Sequence, residues 1–269
     1  MDWWQALVLG LVEGLTEYLP VSSTGHLILA QRWLGIPEGA AANAYAICIQ
    51  LGAILAVLGL YRARIGQVLR GLAGSDDEGR QLALCLVAAF VPAAVVGLLF
   101  DDRIEEVLFG LEPVVAAWFV GGLAILITAR VRRGRAAAEG AELLALGLRG
   151  AVVIGLFQCL ALWPGTSRSL VTIVGGLAVG LSLGAAVEFS FLLGVMTLTA
   201  ATAYKALSDG PVMLEHYGAT PILLGGLAAW LFAVISVRWM VSWLQAHGLA
   251  LFGWYRVLLA VAVGAWLWL

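Results

Sequence analysis

The sequence predicts an all-α integral membrane protein. About six transmembrane helices are expected, plus two re-entrant helix pairs in an inverted-topology repeat. Three observations carry this: the excess of apolar residues, the length of the unbroken apolar runs, and two apolar segments that each break midway around a proline and a cluster of hydroxyl side chains.

Of the 269 residues, 62% are hydrophobic and 12% charged. A soluble globular chain is roughly half apolar and a quarter charged, so the bilayer is the expected solvent for most of this surface. The net charge of −2 gives no basic balance that would suit a nucleic acid. Cys48, Cys85 and Cys159 each lie in an apolar run without metal-pair spacing, and read as small buried hydrophobes. The start, Asp2-Trp3-Trp4, lacks the basic region of a cleavable signal peptide.

Six runs are near the roughly 20 residues that cross the hydrocarbon core as a helix: Asn43–Tyr61, Gln81–Phe100, Pro113–Ala129, Gly184–Leu207, Ala219–Trp243 and Leu249–Leu269. Two more are interrupted. Trp3–Leu34 breaks at Leu19–Gly25, and Leu143–Leu181 breaks at Trp163–Ser169. Each half is too short to span, so both read as re-entrant pairs. Arg62, Arg64, Arg70 and Arg80 fall in one connection and Arg130, Arg132, Arg133 and Arg135 in another, which predicts a cytoplasmic position for both. The intervening acidic loop, 101–106, is then outside, as are both termini. The first broken segment inserts from the outer side and the second from the cytoplasmic side.

The two broken segments also resemble each other. Gly10-Leu11-Val12-Glu13-Gly14-Leu15 aligns with Gly155-Leu156-Phe157-Gln158-Cys159-Leu160. Tyr18 then matches Trp163, Ser22 matches Ser167, and Thr24 matches Ser169. Downstream, Ile49-Gln50-Leu51-Gly52 resembles Phe191-Leu192-Leu193-Gly194. One membrane domain, 1–269, is expected, with repeat halves at about 1–129 and 143–269. Folds of this type build a site at the midplane from broken helices.

Charge at membrane depth is costly and usually functional. Glu13 and Glu17, four apart on one helical face, repel unless a cation or donor lies between them. Pro20 is expected to end their helix. Ser22, Ser23, Thr24 and Gly25 follow, then a half-helix His26–Leu34 whose hydroxyl caps and free amides would face the break. Thr166, Ser167 and Ser169 repeat the device and add Arg168, making a phosphate cradle of two helix N-termini and a guanidinium. Capping alone accounts for the hydroxyls but not for Arg168 between apolar helices. His26, one turn into its half-helix, can face the same break. Gln50 reads equally as a site residue or as a bundle amide. His216 and His247 fall in expected loops and receive no role. The tryptophans near segment ends, such as Trp3, Trp4, Trp243, Trp254, Trp266 and Trp268, read as an interfacial belt.

Glu13-Gly14-Leu15-Thr16-Glu17-Tyr18-Leu19-Pro20-Val21-Ser22-Ser23-Thr24-Gly25-His26 resembles the first signature of the bacterial undecaprenyl-diphosphate phosphatases of the bacitracin-resistance type. Pro164-Gly165-Thr166-Ser167-Arg168-Ser169 resembles their second. Similarity extends to Phe157–Trp163 and Glu188–Leu193, and so over essentially the whole chain. The resemblance implies an inner-membrane, multi-pass enzyme with its site facing the periplasm. Its substrate would be undecaprenyl diphosphate, cleaved to the monophosphate and inorganic phosphate to recycle the cell-wall lipid carrier.

It further implies a divalent cation, Mg²⁺ or Ca²⁺, at Glu13 and Glu17, and catalysis by Glu17, Ser23, His26 and Arg168. Substrate binding would fall to Ser22, Thr24, Gly25, Thr166, Ser167 and Ser169. Serine attack and attack by a metal-activated water both remain open. The partners expected are the prenyl lipid and membrane lipids, with no nucleic acid and no protein partner. Leu170 stands where that family usually has glycine, which is expected either to narrow the site or to mark a subgroup. A lipid-phosphate transporter on the same phosphate site is the competing class, but it gains little from a serine beside a histidine and two glutamates. A purely structural membrane protein is disfavoured by the charges at depth.

Overall fold

The computed structural model of the chain describes residues 1–108 and 110–268, apart from the side chains of 101, 102, 105, 106 and 268. Its described residues form thirteen α-helices and two short 3₁₀ turns. Six helical stretches are long and apolar enough to cross a membrane. The first is Ala40–Leu60, made of α3 (Ala40–Cys48) and α4 (Gln50–Leu60) with a turn at Ile49. The others are α6 (Asp77–Leu108), α7 (Leu111–Val131), α10 (Leu183–Ser208), α12 (Ala219–His247) and α13 (Ala250–Trp268). The chain is a multi-pass membrane protein.

The two interrupted segments are helix pairs. α1 (Trp3–Thr16, 14 residues) precedes α2 (Ser23–Trp33, 11 residues), and α8 (Leu148–Cys159, 12 residues) precedes α9 (Arg168–Ala178, 11 residues). At 1.5 Å per residue these reach about 17–21 Å, short of the roughly 30 Å hydrocarbon core. α5 (Arg62–Leu72) and α11 (Gly210–Tyr217) are short connectors.

Polar contacts sort the connections to two ends of the molecule. Arg64 Nε of α5 donates to Glu188 of α10 at 2.7 Å. Leu183 N donates to Ala137 O, Ala141 bridges Leu181, and Gln81 Nε2 of α6 donates to Leu146 O. The arginine-bearing connections and the starts of α6, α8 and α10 therefore share one end. At the other, Ala6 and Leu9 of α1 cluster with Met213 and Tyr217 of α11, and Gln5 Nε2 donates to Leu34 O. The first pair thus opens and closes at the end opposite the second. α1 packs on α12, α8 packs on α6, and α7 packs on α13. A core running through Tyr18, Ile54, Ile125, Ile154, Leu170 and Phe189 joins these layers.

Several boundaries differ from the sequence reading. α1 stops at Thr16 rather than at Pro20, and α2 starts at Ser23 rather than His26. The expected loop at 101–106 is helical, continuing α6 to Leu108. The side chains of Asp101, Asp102, Glu105 and Glu106, on which its charge rests, lie outside the described residues, as do the side chain of Trp268 and Leu269. His216 and His247 are helical, because α11 and α12 run on to Gly218 and Gly248, glycines with φ of 73° and 69°. Trp118 departs from the belt pattern: it lies inside α7 and is fully buried. The three cysteines are free, Cys85 buried and the other two half-buried.

Candidate active site

Both breaks end in the same backbone conformation. Ser22 and Ser167, each preceding a half-helix, have φ of 73° and 76°, and no other non-glycine residue among those described has a positive φ. Such left-handed backbone costs a β-carbon residue on the order of 1–3 kcal/mol and persists where the surroundings over-determine it. The local chemistry then diverges. Ser167 Oγ caps α9 by accepting from Leu170 N at 3.3 Å. Ser22 makes no side-chain cap, so the expected hydroxyl capping is absent at the first break and the leading amides of α2 face it uncapped.

Glu17, just past the end of α1, joins the two breaks. One carboxylate oxygen accepts from Arg168 Nη2 at 2.8 Å, and the other accepts the Ser23 hydroxyl proton. Arg168 Nη1 donates to Ser190 O at 3.0 Å, and its guanidinium lies 5.2 Å from the Tyr18 ring centre. Arg168 fits because position 194 is glycine: a β-carbon there would lie 2.2 Å from Nη1. Glu13 is completely buried beside Glu17, and neither of its oxygens finds a hydrogen-bond donor. The Tyr18 hydroxyl and Arg168 Nε are likewise buried without partners.

The remaining hydroxyls stitch the breaks together. Ser169 Oγ has one proton and donates it to Leu19 O at 2.9 Å. Its 3.0 Å contact with Ser167 Oγ therefore takes the Ser167 proton, and Ser167 in turn accepts from Leu170 N. Ser169 and Gly25 do not line the cavity described below. Ser169 is a strut between the breaks, and Gly25 packs on the Trp118 ring, where a β-carbon would approach within 2.6 Å.

Sequence reasoning missed Arg256 of α13, which is completely buried. It donates to Pro20 O in the first break (3.3 Å), Gly165 O in the second (2.8 Å), and Ala117 O and Trp118 O of α7 (2.9 and 3.4 Å). Gly121 leaves the room, since a β-carbon there would lie 2.2 Å from Nη2. One signal was available: Arg256 is the only charge between Ala250 and Trp268.

His26 does not reach this group. Its Nδ1 contacts Ser22 O at 2.6 Å, and a carbonyl only accepts, so Nδ1 carries the proton. In the neutral ring Nε2 then accepts from the Tyr255 hydroxyl at 2.7 Å, with the two rings stacked 5.7 Å apart. The expected placement of His26 on the cavity is corrected accordingly: Nδ1 is tied to the Ser22 carbonyl and Nε2 to Tyr255 of α13, and His26 is not part of the cavity wall.

A cavity of about 450 Å³ opens beside the Glu17–Arg168 pair. Ser22, Ser23, Thr24 and Ser167 complete its polar end, and Gln50 and Gln158 line it farther along. Thr166 is half-buried and is not part of the wall. Leu170 is not in the wall either: it is buried in the core, so the expected narrowing is absent. Among the described residues no group of three or more His, Cys, Asp or Glu converges as a metal site.

This arrangement offers a hydroxyl with a carboxylate to take its proton, beside a guanidinium and uncapped amides suited to phosphate. The profile of one known family, Bacitracin resistance protein BacA, matches residues 6–262. The undecaprenyl-diphosphatase of Sorangium cellulosum is 46% identical, covering 100% of this chain and 87% of that protein. Undecaprenyl-diphosphatase 1 of Chromobacterium violaceum is 44% identical over 97% of this chain and 95% of its own length. Undecaprenyl-diphosphatase 2 of Rhodospirillum rubrum is 43% identical over 98% and 94%. With this coverage at both levels, the chain belongs to the bacitracin resistance protein BacA family.

Proposed function

We propose that this protein hydrolyses undecaprenyl diphosphate to undecaprenyl phosphate and inorganic phosphate, and so returns the lipid carrier to cell-wall synthesis. Several relatives are named for that activity. One observation in the structure carries the reading: Ser23 donates its proton to Glu17 while Arg168 holds the other Glu17 oxygen, at the polar end of a largely apolar cavity. A carrier needs the cation and the amides but has no use for the proton acceptor.

In this reading Arg168 and the amides at the start of α2 bind the terminal phosphate. Ser23 Oγ attacks its phosphorus as Glu17 takes the hydroxyl proton, and the bond to the bridging oxygen breaks, releasing the prenyl monophosphate. Water then attacks the phosphoserine phosphorus, the Oγ–P bond breaks, and Ser23 Oγ takes back the proton held by Glu17, freeing phosphate. Glu17, already bonded to Ser23, fits the base role that His26 does not. Glu13 fits a divalent cation, since both its oxygens are buried without donors and it adjoins a second carboxylate. Mg²⁺ or Ca²⁺ held by Glu13, with Glu17, would offset negative charge on the phosphoryl oxygens. The chain is placed in the inner membrane with the arginine-rich end in the cytoplasm. The two helix pairs re-enter from opposite faces as inverted repeats, a reading supported by the matched Ser22 and Ser167 backbones and the reciprocal packing of α1 on α12 and α8 on α6.

The test is phosphate release from purified protein given undecaprenyl diphosphate, with and without chelator. Ser23→Ala is expected to lose several orders of magnitude in kcat. Activity within a few-fold of the parent would remove Ser23 as nucleophile. An inactive parent that moves the lipid across vesicles would overturn hydrolysis itself.

A further inference from the structure

The cavity beside the Glu17–Arg168 pair holds polar side chains that the chemistry above does not use. Gln50 of α4, Gln158 of α8 and Thr197 of α10 line it. They share one level. Thr197 Oγ1 lies 3.1 Å from Gln158 Oε1 and 2.9 Å from Leu193 O; both oxygens only accept, so its single proton is shared between them. Thr202 Oγ1 donates to Ile47 O at 3.2 Å, which sets α10 against the Ala40–Leu60 stretch. The two run in opposite directions. Gln50, three residues after Ile47, therefore comes abreast of α10 within one turn of Thr197. Gly194, over which the Arg168 guanidinium lies, is three residues before Thr197. The three side chains thus stand one helical turn, roughly 5 Å, from the guanidinium, on the side away from the arginine-rich end.

Gln50 is 8% exposed, yet among the described residues no protein group bonds to its amide. A buried amide without a partner is destabilising, so one that faces a cavity is placed for a ligand. Packing does not require it: Leu192, the matching position of the second half, is a buried core leucine. Gln158 keeps a donor as well. Its Nε2 carries two protons, and Ala89 O, at 3.3 Å, takes one. The two amides together turn uncommitted N–H groups to the cavity and bring no charge.

We infer that Gln50, with Gln158, forms a subsite for the proximal phosphate of the substrate, the one that stays on the lipid, while the terminal phosphate occupies the Arg168 end. The inference rests on the phosphatase reading of that end. The two phosphorus atoms of a diphosphate share one bridging oxygen, so the second group lies directly beside the first. One turn outward from the guanidinium is where the uncommitted donors stand. An amide suits this phosphate. As the bond to the bridging oxygen breaks, charge passes to the proximal phosphate, and a fixed N–H there stabilises the leaving group. A carboxylate at position 50 would repel it. A second guanidinium would hold the monophosphate product more strongly than a neutral donor does.

The experiment titrates detergent-solubilised protein with farnesyl phosphate, which carries only the lipid-side phosphate, and with farnesol, which carries none. Excess orthophosphate fills the Arg168 end. Gln50→Leu should raise the Kd for farnesyl phosphate about tenfold and leave the Kd for farnesol at the parent value. Gln50→Glu should raise it further by repulsion; it keeps the shape of the side chain and decides the case if the leucine variant does not fold. Asn43→Leu, which loses an amide from the same cavity wall two turns away, should change neither constant. In turnover, kcat/KM for undecaprenyl diphosphate should fall at least tenfold in Gln50→Leu at an unchanged unfolding midpoint. An unmoved Kd for farnesyl phosphate would overturn the subsite, as would an equal weakening of farnesol or the same loss in Asn43→Leu. A parent that hydrolyses no prenyl diphosphate would count against the phosphatase reading, and the binding constants would then decide the subsite alone.

Discussion

The guanidinium of Arg168 is held by shape as much as by charge. Glu17, the Ser190 carbonyl and the gap left by Gly194 fix its plane. Lysine keeps the charge but not the planar fork, so Arg168→Lys should lower kcat/KM by at least a hundredfold in a protein that still folds. Gly194→Ala makes a sharper case. Its methyl would lie within 2.2 Å of Nη1, and phosphate release should fall at least tenfold although residue 194 touches no substrate. Leu170 predicts the reverse pattern. Buried in the core, Leu170→Ala should cost about 2–5 kcal/mol of stability, read by detergent-solubilised thermal unfolding, with KM for undecaprenyl diphosphate little changed. At this scale the charged members of the site were legible, because a charge such as Glu13, Glu17 or Arg168 is too costly at membrane depth to persist in an apolar run without a use. Arg256 carried the same signal, a lone charge in the run Ala250–Trp268, but its role was hidden because its partners are four carbonyls, and a carbonyl is the same for every residue type. The separation of His26 from the cavity was hidden for a related reason: its partner, Tyr255, lies 229 positions away.

At the scale of elements, hydropathy marked where the chain meets lipid but not where helices end. α6 outlasts its apolar run because nothing between Asp101 and Leu108 breaks a helix: there is neither glycine nor proline. α1 stops before Pro20 because proline restricts the residue ahead of it, and because Leu19 O and Pro20 O are bonded to Ser169 and Arg256 instead of to a continuing helix. The two breaks were visible as Pro, Ser and Thr clusters; which hydroxyl caps and which does not depends on the cross-contacts. Ser167→Ala removes a true cap and should cost on the order of 1 kcal/mol, measurable as a lowered unfolding midpoint. Ser22→Ala, with no cap to lose, should leave that midpoint nearly unmoved.

For the whole molecule, the contacts that gather the arginine-bearing connections at one end make the orientation testable. In a background with Cys48, Cys85 and Cys159 replaced by alanine, Arg133→Cys should resist a membrane-impermeant maleimide in intact cells and react after lysis. Glu38→Cys, exposed at the opposite end, should react in both. Labelling in the opposite sense would invert the topology. Architectures assembled from two oppositely inserted halves commonly work by rocking one half against the other. Here Arg256 grips a carbonyl from each break and two from α7. Hydrogen bonds from a charged donor contribute about 1.5–3 kcal/mol each, and a dry interior offers no water to replace them. A rocking stroke would have to tear this cation from one half or the other. Arg256 is thus a linchpin: as long as its four hydrogen bonds hold, the two breaks and α7 stay tied to α13 as one frame.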